Sequence, residues 1–237
     1  MELRKGKLLH DGKTKKMYAA PADDRLILSF KDNVLFYDSG EITPVKNRGK
    51  FAASVSATLF RLLENYHILT HFIQSLKPNE MVVQKLDMFP LQVVVWNCSA
   101  SHFSKRYGIE KGKPLDHPVI EFCWKNPKVH NPTIGLDHAI AFSLAKEIEM
   151  SEMVAVARKI NAVLKSFFER RNLILADFQL EFGKSDRGIL VGDEISLDTC
   201  RLWDVQGGQT DMNRFRLDRG NIPKAYKELF ERIGVHV

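Results

Sequence analysis

Cysteine is scarce in this chain and forms no pattern. Cys98, Cys123 and Cys200 are odd in number and far apart within 237 residues, which argues against a disulfide framework and against a cysteine-based zinc site. Each thiol reads as a small buried apolar group rather than a nucleophile, and a reducing compartment is the matching expectation. Long hydrophobic runs are missing too, since no stretch approaches the ~20 apolar residues that a spanning helix needs. The opening MELRKGKLLHDGKTKK has no apolar h-region, so no signal peptide is expected. These absences together predict a cytoplasmic protein with no membrane partner. There is no RNP-type aromatic motif and no long basic run, so nucleic acid is not the expected partner either. The net charge of +6 and the pI near 9.2 are spread along the chain and suit a basic cleft for phosphorylated or carboxylate substrates. No internal repeat or low-complexity segment occurs.

What is present is ordinary for a globular chain, with 44% hydrophobic and 27% charged residues. The length allows one large domain or two small ones. The most informative stretch is 173–204, LILADFQLEFGKSDRGILVGDEISLDTCRLWD. It reads as two strands joined by the polar turn Lys184-Ser185-Asp186-Arg187-Gly188. In the first strand Phe178, Leu180 and Phe182 alternate with Asp177, Gln179 and Glu181, so one face is apolar and the other acidic. The return strand ends at Asp193 and Glu194, which a hairpin brings to the same end of the ladder as Glu181. Carboxylates gathered there suit a hard cation such as Mg²⁺, which takes one or two of them and leaves its other positions to phosphate and water. Alternation alone favours the plainer reading, a solvated hairpin carrying ordinary surface acids.

Elsewhere the patterns are coarser. Asp11-Gly12 marks a turn, after which Lys13 and Lys15 are expected on one strand face, where they can line phosphates. Residues 25–30 and 33–37 read as strands, and 38–49 as a loop with Gly40 and Pro44. Helical spacing runs from Phe51 to Tyr66, with His67 at its end in a structural role. Two strands, 81–87 and 91–97, are expected to be split by Met88-Phe89-Pro90, and Arg106-Tyr107-Gly108 to end a short helix. Residues 110–135, with Pro114, Pro118, Pro127 and Pro132, read as a long ordered loop. The strongest helix signal covers 150–171, with Ser151 as its cap, and a closing helix covers 221–234 with Pro223 in its first turn. A soft boundary near 85–90 divides a β-rich 1–87 from a mixed α/β 88–237, with a cleft between them.

The order of short motifs resembles the SAICAR synthetase family, purine-pathway ligases that join aspartate to a carboxyaminoimidazole ribotide. The matching stretches are GKTKKMY, QKLDMFPLQVVV, SKRYGIEKG, KNPKVHNP, LADFQLEFG and VGDEISLDTCRLWD, reaching from Gly12 to Phe215. The resemblance implies an α+β fold with a β-rich N-terminal lobe, a larger α/β lobe, and ATP between them. It implies Lys13 and Lys15 on the phosphates, and Lys85, Leu86 and Met88 in a hinge that holds adenine. Glu181 and Asp193 would hold Mg²⁺. Asp198 and Arg201 would face the substrates, with Lys125 in the substrate loop. Family members are commonly oligomeric, so self-association is the corresponding expectation. The departures cluster at the ribotide side. Trp96 stands where the family usually has arginine, and Cys98 where some members have another. Ser101-His102 replaces Gly-Ser, and Ala52-Ala53 replaces an Asn pair. Asn131 replaces the aspartate of HDP, and Gln179 replaces a lysine. Trp96, His102, Asn131 and Gln179 are therefore the expected substrate contacts of an altered subsite, with Trp96 stacking on a ring. Three readings stand at this point: the family's ligase, a diverged paralogue making another amide with the same ATP chemistry, and an inactive nucleotide-binding protein.

Overall fold

Runs rich in Val, Ile, Leu and Phe build two antiparallel sheets, and the chain passes from one to the other at Lys85-Leu86. The computed structural model describes residues 3–35, 42–206, 209–211 and 222–234. The first sheet uses β1 (Leu8–Asp11), β2 (Lys15–Ala19) and β3 (Arg25–Phe30). A separate ribbon of β4 (Asn33–Leu35) and β5 (Ile42–Pro44) follows, then α1 (Arg48–Asn65). β6 (Phe72–Lys77) and β7 (Glu80–Gln84) complete the order β1-β2-β3-β7-β6.

The second sheet opens with β8 (Asp87–Cys98), α2 (Ser101–Tyr107) and β9 (Pro114–Trp124). After a 3₁₀ turn at Pro127–Val129 come β10 (Thr133–Ile134), α3 (Leu136–Ala141) and α4 (Glu147–Glu169). β11 (Leu173–Ser185), β12 (Gly188–Gly192), β13 (Cys200–Gln206), β14 (Gln209–Asp211) and α5 (Ile222–Ile233) close the described chain. The order is β10-β9-β8-β11-β13-β14, and β12 also pairs with β11. Among the described residues no helix is long and apolar enough to cross a membrane.

One continuous apolar cluster joins the two sheets. Leu28, Met81 and Val83 of the first share it with Val93, Val95, Phe178, Leu180 and Phe182 of the second. The α4 stripe of Met153, Ala157, Ile160, Leu164 and Phe168 covers the second sheet, and burial of such side chains contributes roughly 1.5–3 kcal/mol each. On the opposite face a smaller cluster of Val94, Trp96, Cys98, Phe103, Ala176 and Trp203 lies beneath α2.

Several expectations need correction. Met88-Phe89-Pro90 does not split two strands, because β8 runs unbroken through it. Its pairing with β11 is irregular between Glu181 and Gly183, and a proline without an N–H fits at such a bulge. The segment 110–135 is not a loop, because eleven of its residues form β9. Pro118 is tolerated since β10 pairs with β9 only at Phe122 and Cys123, leaving the Pro118 edge unpaired on that side. Ser151 is not the α4 cap. The helix starts at Glu147, where the Glu149 carboxylate accepts from the Lys146 N–H at 2.8 Å. Lys13 does not share a strand face with Lys15, because β2 begins only at Lys15 and Lys13 is exposed in the turn before it. β6 and β13 were not foreseen as strands. Phe36, Tyr37, Asp38, Gly40, Phe215 and Asn221 lie outside the described residues.

Asn97 of β8 and Asn161 of α4 pair their amides reciprocally inside the protein, at 2.8 and 2.9 Å. Asn161→Leu leaves Asn97 with unmet hydrogen bonds, and is expected to lower the unfolding free energy by about 1–3 kcal/mol. An unchanged urea midpoint would show that the pair contributes nothing to holding α4 on the sheet.

Candidate active site

The site forms where β11 changes partners along one edge. β12 pairs with its second half, ending at Glu181↔Gly192, and β13 pairs with its first half from Phe178↔Cys200. The chain between Gly192 and Cys200 must therefore leave the ladder and rejoin it a few residues along the same strand. This short return carries Asp193, Glu194 and Asp198, and brings Asp193 within charge range of Glu181. Asp193 takes it in the left-handed region, with φ of 59°, which a short polar side chain tolerates better than a branched one.

Two lysines from distant elements meet these acids. Lys15 Nζ of the first sheet lies 2.5 Å from Asp193 Oδ1 and 2.7 Å from Glu194 Oε1. Lys125 Nζ, just past β9, donates to Glu181 Oε2 at 2.5 Å. Burial alone would pull the Lys15 ammonium down, but Asp193 and Glu194 outweigh it and hold its pKa above the usual lysine range. Burial likewise opposes ionisation of Asp193, and Lys15 reverses that, keeping this carboxyl below its ordinary value. Glu181 is pushed upward, first by burial and then by the Asp193 charge, against the pull of Lys125. The two carboxylates thus lie close enough to feel each other's charge.

A second knot supports the return. Arg48, fully buried at the first position of α1, pairs with Asp198 and donates to the carbonyls of Thr14 and Lys31, each at 3.4 Å. Ser196 Oγ lies 2.7 Å from Glu194 Oε2, and the Ile195 N–H donates to Ser56 Oγ at 3.1 Å. Asp198, expected to face the substrates, instead turns its carboxylate to Arg48. Sequence reasoning missed Arg48, although an arginine opening a helix opposes the helix dipole and so carried a signal of a stronger partner. His71 was missed as well. Its buried Nε2 lies 3.2 Å from the Asp193 carbonyl, and burial pushes its pKa down to about 4.

Next to this knot lies the polar face of the second sheet. Leu173 and Leu175 point into the main core, as do Phe178, Leu180 and Phe182, although the parity differs. An irregularity between Leu175 and Asp177 absorbs one residue and sends Asp177 to the face shared by Trp96 and Arg201. Arg201 Nε is 3.4 Å from Asp177 Oδ2, an oxygen with no hydrogen-bond partner. Gln179 accepts from Gln92 Nε2 at 3.0 Å and lies between Asp177 and Glu181.

The expectation for Trp96 is corrected. Its ring is 1% exposed, so it cannot stack on a substrate. The indole N–H donates to Glu121 at 2.9 Å, and Glu121 also accepts from Arg106 at 2.7 Å and Tyr107 at 2.8 Å. His102 is exposed and meets the Trp96 ring edge-on, with centroids 5.1 Å apart. Asn131 is exposed in the turn after the 3₁₀ segment, with φ of 49°. Ala52 and Ala53 are buried in the core. At the crossing between sheets, the Lys85 N–H donates to the Asp24 carbonyl at 2.7 Å. Leu86 and Met88 cover the root of the hairpin so closely that a Cβ on Gly183 would sit 2.6 Å from Leu86 Cβ and 2.9 Å from Met88 Sδ.

Asp177 gives a pH signature. Burial raises its carboxyl to about 6, with Arg201 opposing. A carboxyl raised on folding binds its proton more tightly in the native state, so its contribution is full below about pH 4 and is lost as the pH rises through about 6. Asp177→Asn is expected to flatten that decline in unfolding free energy between pH 4 and 6. Identical pH profiles for the two proteins would show that Asp177 ionises normally.

A two-sheet chain with lysine-covered carboxylates at the strand junction has close counterparts. The SAICAR synthetase family model matches residues 8–233. A phosphoribosylaminoimidazole-succinocarboxamide synthase of a Nitratiruptor species is 41% identical, with 98% of each chain covered. One from Pyrococcus furiosus is 41% identical over 95% of this chain and 96% of its own. Among solved structures, a SAICAR synthetase in complex with ADP matches with TM-score 0.89 and 40% identity, covering 96% of this chain and 97% of that one. The synthase from Ehrlichia chaffeensis matches with TM-score 0.90 and 32% identity over 98% and 100%. Similarity that runs the length of the chain in both sequence and backbone leaves one assignment: this protein belongs to the SAICAR synthetase family.

Proposed function

We propose that the chain is an ATP-dependent carboxylate–amine ligase that joins L-aspartate to carboxyaminoimidazole ribotide, giving SAICAR, ADP and phosphate. The observation that carries this reading is the junction of Glu181 and Asp193, each met by a lysine from elsewhere in the chain. The relatives named as this synthase match nearly the whole chain, and the comparisons favour neither a diverged paralogue nor an inactive binder. A structural neighbour holding ADP supports nucleotide use. Three free thiols agree with a cytoplasmic setting.

A carboxylate resists attack by an amine at neutral pH because its leaving group is poor. In the reaction a carboxylate oxygen of the ribotide attacks the γ-phosphorus of ATP, and ADP leaves. The aspartate amine then attacks the acyl carbon, the C–N bond forms, phosphate departs and the amine sheds its proton. The protein supplies position and charge for this sequence. We assign the nucleotide base to the 85–88 crossing, between the β-rich 1–87 and the larger 88–237. Lys15 is placed to trade its carboxylates for phosphate oxygens as ATP arrives, with Lys13 at the mouth of the same turn. Lys125 is placed to release Glu181 and take the substrate carboxylate. Arg201 offers a guanidinium to the substrate anion, and Gln179, Asn131 and His102 offer hydrogen bonds around it.

Among the described residues no group of three or more His, Cys, Asp or Glu surrounds a metal position. Mg²⁺ does not require one, since it prefers one or two carboxylates with phosphate and water. Two neighbouring carboxylates whose present counter-charges are lysine ammonium groups fit that demand. Glu181 and Asp193 would hold the ion, which would neutralise phosphate charge in the bound nucleotide.

ADP release with the carboxylated ribotide plus aspartate is expected to require both substrates. Turnover with an unphosphorylated carboxylate and none with the ribotide would overturn the substrate assignment. Asp193→Asn is expected to abolish Mg²⁺-dependent turnover with the fold retained. Undiminished turnover in a folded variant would remove Asp193 from the ion site.

A further inference from the structure

We propose that His71 is a positioning residue, which aims the Asp193 carboxylate by holding the Asp193 main-chain carbonyl. This rests on the reading of Asp193 as a cation ligand. The imidazole is buried between the sheets, with Nε2 at 3.2 Å from the Asp193 oxygen. A carbonyl can only accept, so Nε2 carries the hydrogen and donates it. The backbone of His71 is fixed on both sides. Its N–H donates to the Val191 carbonyl at 2.8 Å, and its carbonyl accepts from the Gln84 N–H at 2.7 Å. Thr70 forms a parallel bridge with Val191, and the Phe60 ring meets the imidazole edge-on at 5.4 Å. The His71 backbone is thus clamped to β12 and β7, and its ring rests on α1, before Nε2 reaches Asp193.

Packing alone does not call for a histidine here, because a leucine fills such a space without burying polar atoms. What the imidazole adds is one donor aimed at a residue with φ of 59°. The direction of the Asp193 side chain follows from that backbone setting. Without the donor the peptide is free to rotate toward the commoner negative φ, and the carboxylate swings away from Glu181 and Lys15. His71 also belongs to the segment between α1 and β6, so it ties the ion site to the first sheet as well as the second.

The test titrates Mn²⁺ into the full chain saturated with ADP, following free Mn²⁺ by electron paramagnetic resonance. ADP affinity without metal and the metal-free melting temperature are measured alongside. His71→Leu is expected to weaken Mn²⁺ binding by about 10-fold or more, with no loss of metal-free ADP affinity. His71→Gln, whose amide can stand in for Nε2–H, restores Mn²⁺ binding, whereas the shorter His71→Asn does not. If His71→Leu fails to fold, the Gln and Asn variants carry the same comparison. Wild-type Mn²⁺ affinity in His71→Leu, or in His71→Asn where Leu does not fold, with loss in Asp193→Asn, overturns the positioning role and leaves the ion site standing. Wild-type affinity in Asp193→Asn overturns the ion site and the positioning role together. Parallel losses of Mn²⁺ binding, ADP binding and melting temperature in all three His71 variants mark a fold role only and overturn the proposal.

Discussion

The contact on which this structure depends is the one between Lys15 and the Asp193–Glu194 pair. It joins a strand of the first sheet to the return segment of the second. Ion pairs this buried commonly cost as much in desolvation as they recover in attraction, so stability alone is a weak reason to keep one. Its value is of another kind. A lysine opposite two carboxylates holds together acids that would otherwise repel. On the proposed function, the phosphates of a nucleotide and its cation would replace both halves of the pair and leave neither bare. Lys125 on Glu181 repeats the pairing a short distance away.

Arg48 does different work. Fully buried, it ties the turn before β2, the end of β3 and the loop that carries Asp198 to one another. The Lys15 and Lys125 side chains keep some exposure, whereas Arg48 has none. Electrostatic preorganisation of this sort requires a rigid layer behind the groups that meet ligand. The Ser56, Ser196 and Thr199 hydroxyls complete that layer with hydrogen bonds to the loop.

Much of this was readable from residues alone. The alternation of Phe178, Leu180 and Phe182 with Gln179 and Glu181 gave the hairpin and its acidic end, and the stripe from Met153 to Phe168 gave α4. The plainer reading of those acids as surface groups failed because Lys15 of the first sheet and Lys125, just past β9, close onto them, and neither is local to the hairpin. Proline misled twice, at Pro90 and Pro118, because its fitness in a strand depends on whether that edge is paired, a tertiary fact. Trp96 misled through chemistry. A large ring in a substrate row suggests stacking, yet Glu121, 25 residues away, claims its N–H and draws it inside. Arg48 and His71 act through contacts spanning 150 and 122 residues, which no local window can reveal.

The change of partners along β11 has a consequence for how this region can vary over time. Both ends of the 193–199 return are fixed by pairing to a single strand, at Gly192↔Glu181 and Cys200↔Phe178. Adding or deleting one residue there would force a register slip in β12 or β13 and turn the inward side chains of that strand outward. The tip of the hairpin at Asp186-Arg187 has no such constraint. Insertions and deletions among descendants of this gene should therefore accumulate at the tip and be purged from the return, even where the residues of the return themselves are exchanged.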